Sequence, residues 1–314
     1  YYEFDRVNQE FMAALRERFP GMEVIFMTGS HTEPDANLIR AMRSQAFYFI
    51  QKPFDRQVLL TLVERCLELR TYRETARAHT ARLEHELADA RAFQTAMLQP
   101  HRTTLAGIPI EACCRPSQEL GGDLYDYAVT CDGDPAFIVA DVSGHGAAAA
   151  LLTAVVMSAF RADASYEPLG VVRRLAGAIR LFGECRFVTC LCGRIDLKRG
   201  VLDYVNAGHP AGALMHRGHV AELVAEGPMV MSAFADDSWS LSTAPWRPGS
   251  RLAVCTDGLM DAMNVAMGRT GAVLGEVLAA ADTSAGVVEA LLARTREALG
   301  GRPAPDDITV LAAG

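Results

Sequence analysis

Ala136-Phe137-Ile138-Val139-Ala140-Asp141-Val142-Ser143-Gly144-His145-Gly146 runs from an unbroken apolar segment into an aspartate and then into two glycines. An apolar segment of that length is a strand, and the glycines let the backbone turn tightly where it stops. Three other aspartate groups lie at the end of an apolar run or beside glycine: Gly121-Gly122-Asp123, Thr256-Asp257-Gly258 and Asp306-Asp307-Ile308-Thr309. Carboxylates at strand ends, beside glycines that let a ligand approach, suit a hard divalent cation, which takes oxygen donors. Four such places, spread over most of the chain, point to one pocket assembled by folding.

The bulk composition permits that pocket. A chain of 314 residues, half of them hydrophobic, has material for about two domains. A formal charge of −8 without a Lys/Arg cluster argues against a nucleic-acid surface. No apolar run approaches the ~18 residues of a membrane span, and Tyr1-Tyr2-Glu3-Phe4-Asp5 lacks the regions of a signal peptide, so no membrane contact and a cytoplasmic location are expected. The eight cysteines show no paired C-x-x-C spacing, and most, lying in apolar strand-like text, read as reduced, buried thiols, with Cys190 and Cys192 on one face of a strand.

Residues 1–69 alternate helix and strand: a helix over 9–19, a strand at Val24-Ile25-Phe26-Met27, a helix from Asp35 to Ser44, a strand at Ala46-Phe47-Tyr48-Phe49-Ile50, then a helix through Leu69. That order indicates a doubly wound α/β unit. The strand-end hydroxyl of Phe26-Met27-Thr28-Gly29 and the lysine of Gln51-Lys52-Pro53-Phe54 resemble the C-terminal half of a response-regulator receiver. In receivers those two side chains contact a phosphorylated aspartate, so the resemblance implies Thr28 and Lys52 as switch residues and an upstream histidine kinase as partner. The strand that would carry the phosphoacceptor has no counterpart before Val24, so the receiver reads as partial.

Residues 70–100 form a connector. Thr71 to Met97 contains no proline or glycine and is rich in Arg, Glu and Ala, which favours helix. Leu83, Leu87, Ala90, Gln94 and Met97 recur at 4-3-4-3 spacing, the seam of a two-stranded coiled coil in a homodimer or of a helix packed on the chain's own domains.

Residues 101–314 read as strands at 136–140, 187–195, 201–205, 211–215, 252–255 and 308–311, with helical text at 147–162, 169–182 and 285–299. Short turns between strands imply antiparallel sheets covered by helices, an α+β layered domain. Met97-Leu98-Gln99-Pro100, Glu119-Leu120-Gly121-Gly122-Asp123, the Asp141 segment, Asn206-Ala207-Gly208-His209-Pro210, Thr256-Asp257-Gly258 and Asp306-Asp307-Ile308-Thr309 occur in that order. Together they resemble the SpoIIE/RsbU branch of the PPM-type metal-dependent serine/threonine phosphatases over residues 96–314. The resemblance implies a sandwich of two antiparallel sheets flanked by helices, with an RssB-like arrangement of receiver, linker and phosphatase-fold output.

A phosphate monoester dianion repels hydroxide, and two cations about 3.5–4 Å apart neutralise it while lowering the pKa of a water. The resemblance implies two divalent cations, Mn2+ or Mg2+, with Asp141, Asp257 and Asp306 as the catalytic aspartates. The Val142 carbonyl, Asp123 and Asp307 join them as metal ligands, Asp307 and Asp126 with a supporting character. Ser143 stands where animal relatives carry a histidine, which leaves His145 or solvent as the proton donor to the leaving group. Asp261 replaces a usual glutamate, and 263–274 lacks the usual Phe-Gly step; both bear on the substrate flap. His209 reads as structural. The expected function is a receiver-regulated phosphatase acting on a phosphoprotein of the anti-sigma-factor-antagonist type. A catalytically silent adaptor of the same fold, binding a sigma factor or its regulator, is the alternative.

Overall fold

The computed structural model describes Ala14 and residues 17–19, 21–28, 48–144, 146–182, 186–231 and 238–314. It divides into two compact units, Tyr1–Glu86 and Leu87–Gly314.

In the first unit, β1 (Ile25–Thr28) and β2 (Tyr48–Gln51) pair in parallel with Thr28 opposite Gln51. Parallel neighbours need a long crossover, and the helix expected at 35–44 lies outside the described residues. Of the helix expected over 9–19, Ala14, Glu17 and Arg18 are described and helical. α1 then runs without a break over Arg56–Met97, so the text read as a receiver helix and a separate connector helix is one element. Its exposed face carries Arg70–Glu74 and Arg82–Glu86 pairs at i,i+4, each worth a few tenths of a kcal/mol. Leu83 and Leu87 remain exposed. Gln94 and Met97 do not continue that open stripe: Gln94 bonds to Gly121, and Met97 packs into the core of the second unit.

That second unit holds two antiparallel sheets. One orders its strands as β10 (His219–Leu223), β9 (Gly212–His216), β13 (Arg251–Cys255), β14 (Ile308–Ala313), β4 (Ile108–Arg115) and β3 (Arg102–Leu105). The other runs β12 (Ser242–Pro245), β8 (Val201–Ala207), β7 (Phe187–Asp196), β6 (Pro135–Val142) and β5 (Asp123–Val129), with β11 (Val230–Met231) on β7. α2 (Ala147–Arg161) and α3 (Pro168–Ile179) cover the second sheet. α4 (Asp257–Ala262), α5 (Thr270–Ala280) and α6 (Ser284–Leu299) cover the first.

Strand period fixes which side chains enter which layer. On β6, Phe137 and Val139 enter the layer between the sheets while Ile138 and Ala140 face α2 and α3. Asp141 therefore continues the inter-sheet face. On β5, Tyr125 and Tyr127 point between the sheets, so Asp123 shares their face and Asp126 takes the opposite one. Cys190 and Cys192 both lie in the helix-side core, as their spacing predicts.

Asp126 is wholly buried and meets Arg161 of α2 in a two-pronged pair, Nε to Oδ2 at 2.7 Å and Nη2 to Oδ1 at 3.0 Å. It stands away from the acid-lined edge and pins α2 to the sheet. Removing the guanidinium strands a buried carboxylate, so Arg161→Ala is expected to lose about 3 kcal/mol in urea denaturation, the low end for a broken buried pair because Arg161 is partly solvated. Adding Asp126→Asn should restore part of that loss; an unchanged midpoint in Arg161→Ala would refute the account.

Candidate metal centre

The four acidic segments meet at one edge of the sandwich and interlock through their glycines. Asp123 and Asp141 are direct cross-strand partners on β5 and β6, which sets their Cβ atoms about 5 Å apart. A Cβ on Gly122 would lie 2.6 Å from the Val142 carbonyl oxygen, and one on Gly121 would lie 2.6 Å from Asp307 Oδ2. A Cβ on Gly258 would overlap the Asp307 carbonyl oxygen and sit 3.2 Å from Asp306 Cβ. Each glycine is there because another segment of the edge needs the space.

Hydrogen bonds close the same circuit. Thr256 Oγ1 donates to Asp123 Oδ2 at 2.7 Å and accepts from the Thr309 N–H at 3.0 Å, while the Thr256 N–H donates to the Thr309 carbonyl at 3.0 Å. Asp307 is 8% exposed; its Oδ1 accepts from the Ser117 N–H and hydroxyl, and its Oδ2 from the Gly122 N–H at 2.7 Å. Both of its oxygens are thus engaged by the loop before β5. Asp307 thereby braces the Gly121-Gly122 turn, the supporting character expected of it. Asp306 is exposed, accepts from the Asp307 N–H at 2.8 Å, and leads into β14. Asp257 opens α4, where the helix N-terminus favours a negative charge.

The carboxylates act on one another. Burial, followed by the charges of Asp257, Asp306 and Asp307, pushes the Asp141 carboxyl up to about 7. Burial, then Asp141, raises Asp123 well above the usual range, against the Thr256 hydrogen bond that lowers it. Burial, then Asp306 and Asp261, raises Asp257. Among the described residues, no lysine or arginine pairs with Asp123, Asp141, Asp257 or Asp306. Nor, among them, do three carboxylate, imidazole or thiolate groups close around a single point. An uncompensated set of oxygen donors drawn from both sheets is nonetheless the chemistry that hard divalent cations fit.

The remaining sequence-level candidates fall into place as follows. Ser143 Oγ accepts from the Phe187 N–H at 3.0 Å and so ties β6 to β7. His145 lies outside the described residues. Thr28 ends β1 and the exposed Lys52 follows β2, at the same end of the parallel pair; the Lys52–Pro53 peptide is cis. Sequence reasoning missed Thr256 and Thr309, although both adjoin the acidic groups, and it missed Gln94, whose Nε2 donates to the Gly121 carbonyl at 2.7 Å while its Oε1 accepts from the Gly121 N–H at 3.3 Å.

A carboxyl whose folded pKa is raised binds more protons when folded than when unfolded. For Asp141 the excess extends from the ordinary value near 4 up to about 7. Stability of the metal-free chain therefore falls as pH rises through that window. Thermal unfolding in EDTA should show the chain more stable at pH 5.5 than at pH 8 by an amount on the order of 2 kcal/mol, with added Mn2+ stabilising chiefly at pH 8. A melting temperature that rises with pH in EDTA, unaffected by Mn2+, would contradict the coupling.

Known proteins share this architecture. The PP2C domain of SiaA from Pseudomonas aeruginosa matches with a TM-score of 0.61 at 22% identity, covering 75% of this chain and 98% of that one. The catalytic domain of the serine/threonine phosphatase PstP, solved with two manganese ions, matches with a TM-score of 0.51 at 17% identity, covering 66% and 97%. At these identities the likeness establishes the fold, a PP2C-type sandwich. The phosphoserine phosphatase RsbP of Bacillus subtilis (strain 168) is 30% identical over 161 residues, 49% of this chain; the chain spans 40% of the length of that relative. The family described as stage II sporulation protein E (SpoIIE) matches residues 132–314. Because that match takes in more than half of the chain, including β6 with Asp141, the 206–210 turn and both later acidic groups, this chain belongs to the SpoIIE family.

Proposed function

We propose that the chain is a metal-dependent protein serine/threonine phosphatase acting on a small phosphoprotein of the anti-sigma-factor-antagonist type. One observation carries the reading: like-charged aspartates from both sheets crowd one edge with no lysine or arginine to balance them among the described residues. RsbP, a phosphoserine phosphatase, and PstP, solved with two manganese ions, support it by similarity.

Asp141, the Val142 carbonyl, Asp123, Asp257 and Asp306 would hold two Mn2+ or Mg2+ ions. When bound, such ions neutralise phosphoryl charge and make a water nucleophilic near neutral pH. The chain's own part is to present the carboxylates deprotonated and in register, which the β5–β6 pairing and the Thr256–Asp123 bond support. Asp307 and Gln94 hold the Gly121-Gly122 turn that aims Asp123. In this reading the first unit is a receiver fragment under a histidine kinase, with Thr28 and Lys52 as its switch. α1 pairs two copies through its exposed Leu83 and Leu87.

Hydrolysis of a phosphoserine peptide by the purified chain with Mn2+, abolished by EDTA, is the expected result; turnover that persists in EDTA would exclude the mechanism. The adaptor reading draws on the absence of a closed three-ligand cluster among the described residues. Calorimetry separates the two, since an adaptor shows no tight Mn2+ binding that depends on Asp141.

A further inference from the structure

β7 brings a hydroxyl to the acid-lined edge that the phosphatase reading leaves unused. Thr189 stands directly opposite Asp141 in the β6–β7 register, close enough for the two side chains to share a water. Thr189 Oγ1 lies 2.8 Å from His209 Nδ1. His209 is 3% exposed and held from behind: its N–H donates to Asn206 Oδ1 at 2.8 Å, and Asn206 Nδ2 donates to the Leu223 carbonyl at 2.9 Å. Gly208 permits the turn with φ of 67°, and a Cβ there would lie 2.7 Å from the Met229 nitrogen.

Burial drives the imidazole down to a pKa of about 3, so the ring is neutral. Among the described residues its Nε2 has no hydrogen-bond partner, and the Cys255 main chain stands beside the ring. A neutral ring carries one proton, and with that proton on Nε2 the Nδ1 lone pair accepts. In that tautomer Thr189 donates to His209 Nδ1, and its oxygen retains lone pairs for a donor placed beside Asp141.

We propose that Thr189 and His209 form a positioning pair: His209 aims the Thr189 hydroxyl, which accepts a hydrogen bond from a water that also donates to Asp141, orienting that water's lone pairs toward the cation site and the substrate. The proposal rests on the metal-dependent phosphatase reading. The pair lies one layer out from the carboxylates, where such partners typically contribute 10–100-fold to metal affinity or activity.

The test uses the full chain, Mn2+ calorimetry and p-nitrophenyl phosphate turnover. Thr189→Val keeps the shape and strand preference while removing the hydroxyl. It is expected to weaken Mn2+ binding and lower kcat by roughly tenfold each with KM little changed, and Thr189→Ser should recover most of both losses. His209→Gln should match Thr189→Val, and the double variant should add little to either. Wild-type affinity and kcat in Thr189→Val, or a serine variant as impaired as the valine one, would overturn the pair. Should His209→Gln not fold, the Thr189 variants decide alone. Should the wild-type chain hydrolyse nothing, the phosphatase reading fails while Mn2+ affinity still decides the pair: weakening by valine and recovery by serine upholds it, equal affinities overturn it.

Discussion

Asp141→Asn is expected to lower Mn2+-dependent hydrolysis of a phosphoserine peptide by at least about a thousandfold, roughly 4 kcal/mol of transition-state stabilisation, while making the metal-free chain more stable. Both effects come from the same charge. Asparagine keeps the size and one oxygen of the side chain, so the β5–β6 pairing with Asp123 is undisturbed. What disappears is the carboxylate whose pKa is raised by burial and by Asp257, Asp306 and Asp307. Without ions that charge is repelled by its neighbours, and removing it relieves the strain; with ions present, the proposed mechanism makes it the centre of the ligand set. Opposite signs for function and stability mark a site where activity is held against the fold's own preference. Steady-state turnover with Mn2+ and thermal unfolding in EDTA check both halves. Turnover within tenfold of wild type would remove Asp141 from the mechanism, and a lower melting temperature in EDTA would show that it stabilises the fold instead.

How much of this was legible in the sequence depended on whether local text and tertiary context agreed. β6, β7, β8, β9, β13 and β14 are apolar runs with turn residues at their ends, and each appears within a residue or two of its expected bounds. β5 was not anticipated, because Asp123-Leu124-Tyr125-Asp126-Tyr127 puts carboxylates on both faces of the strand. One faces the acid-lined edge and the other an arginine on α2, a partner that only folding supplies. α5 was missed for a different reason: Gly271 and Gly275 weaken any helical reading, and its first residue has no side-chain cap. Those glycines are there because Glu222 and Val220 of β10 press against the helix, with Cβ positions 2.7 Å from each. Thr256-Asp257-Gly258 read as a turn, yet it opens α4. The spacing of Gln94 placed it in a helix seam, whereas its amide is spent on Gly121. The acids were visible as a set because they stand at the ends of apolar runs or beside glycines; the groups that hold them are ordinary threonines and amides with no local signature.

Gly258→Ala should be among the most damaging single-atom-group additions in the domain, destabilising by about 3 kcal/mol or more and weakening Mn2+ binding at least tenfold. Its methyl would overlap the Asp307 carbonyl oxygen and lie 3.0 Å from the carbon of that carbonyl. The obstacle is backbone, so no rotamer change relieves it. Nor can that backbone retreat easily: Asp307 leads directly into β14, which is paired on both sides, with β13 and with β4. The alternative is to push α4 outward, which moves Asp257 away from Asp141. Either way one ligand segment shifts relative to the others, and the loss of stability and the loss of metal affinity arrive together. Gly177 of α3 supplies the contrast, since a Cβ there meets nothing within 4 Å. In that open helix interior alanine should stabilise by about 0.5–1 kcal/mol through helix propensity alone. Urea denaturation of the two variants side by side, with Mn2+ titration of each, distinguishes a crowded metal edge from a general intolerance of added carbon. If Gly258→Ala unfolds at the wild-type midpoint and binds Mn2+ normally, the close packing of Thr256-Asp257-Gly258 on Asp306-Asp307 is not what positions the acids.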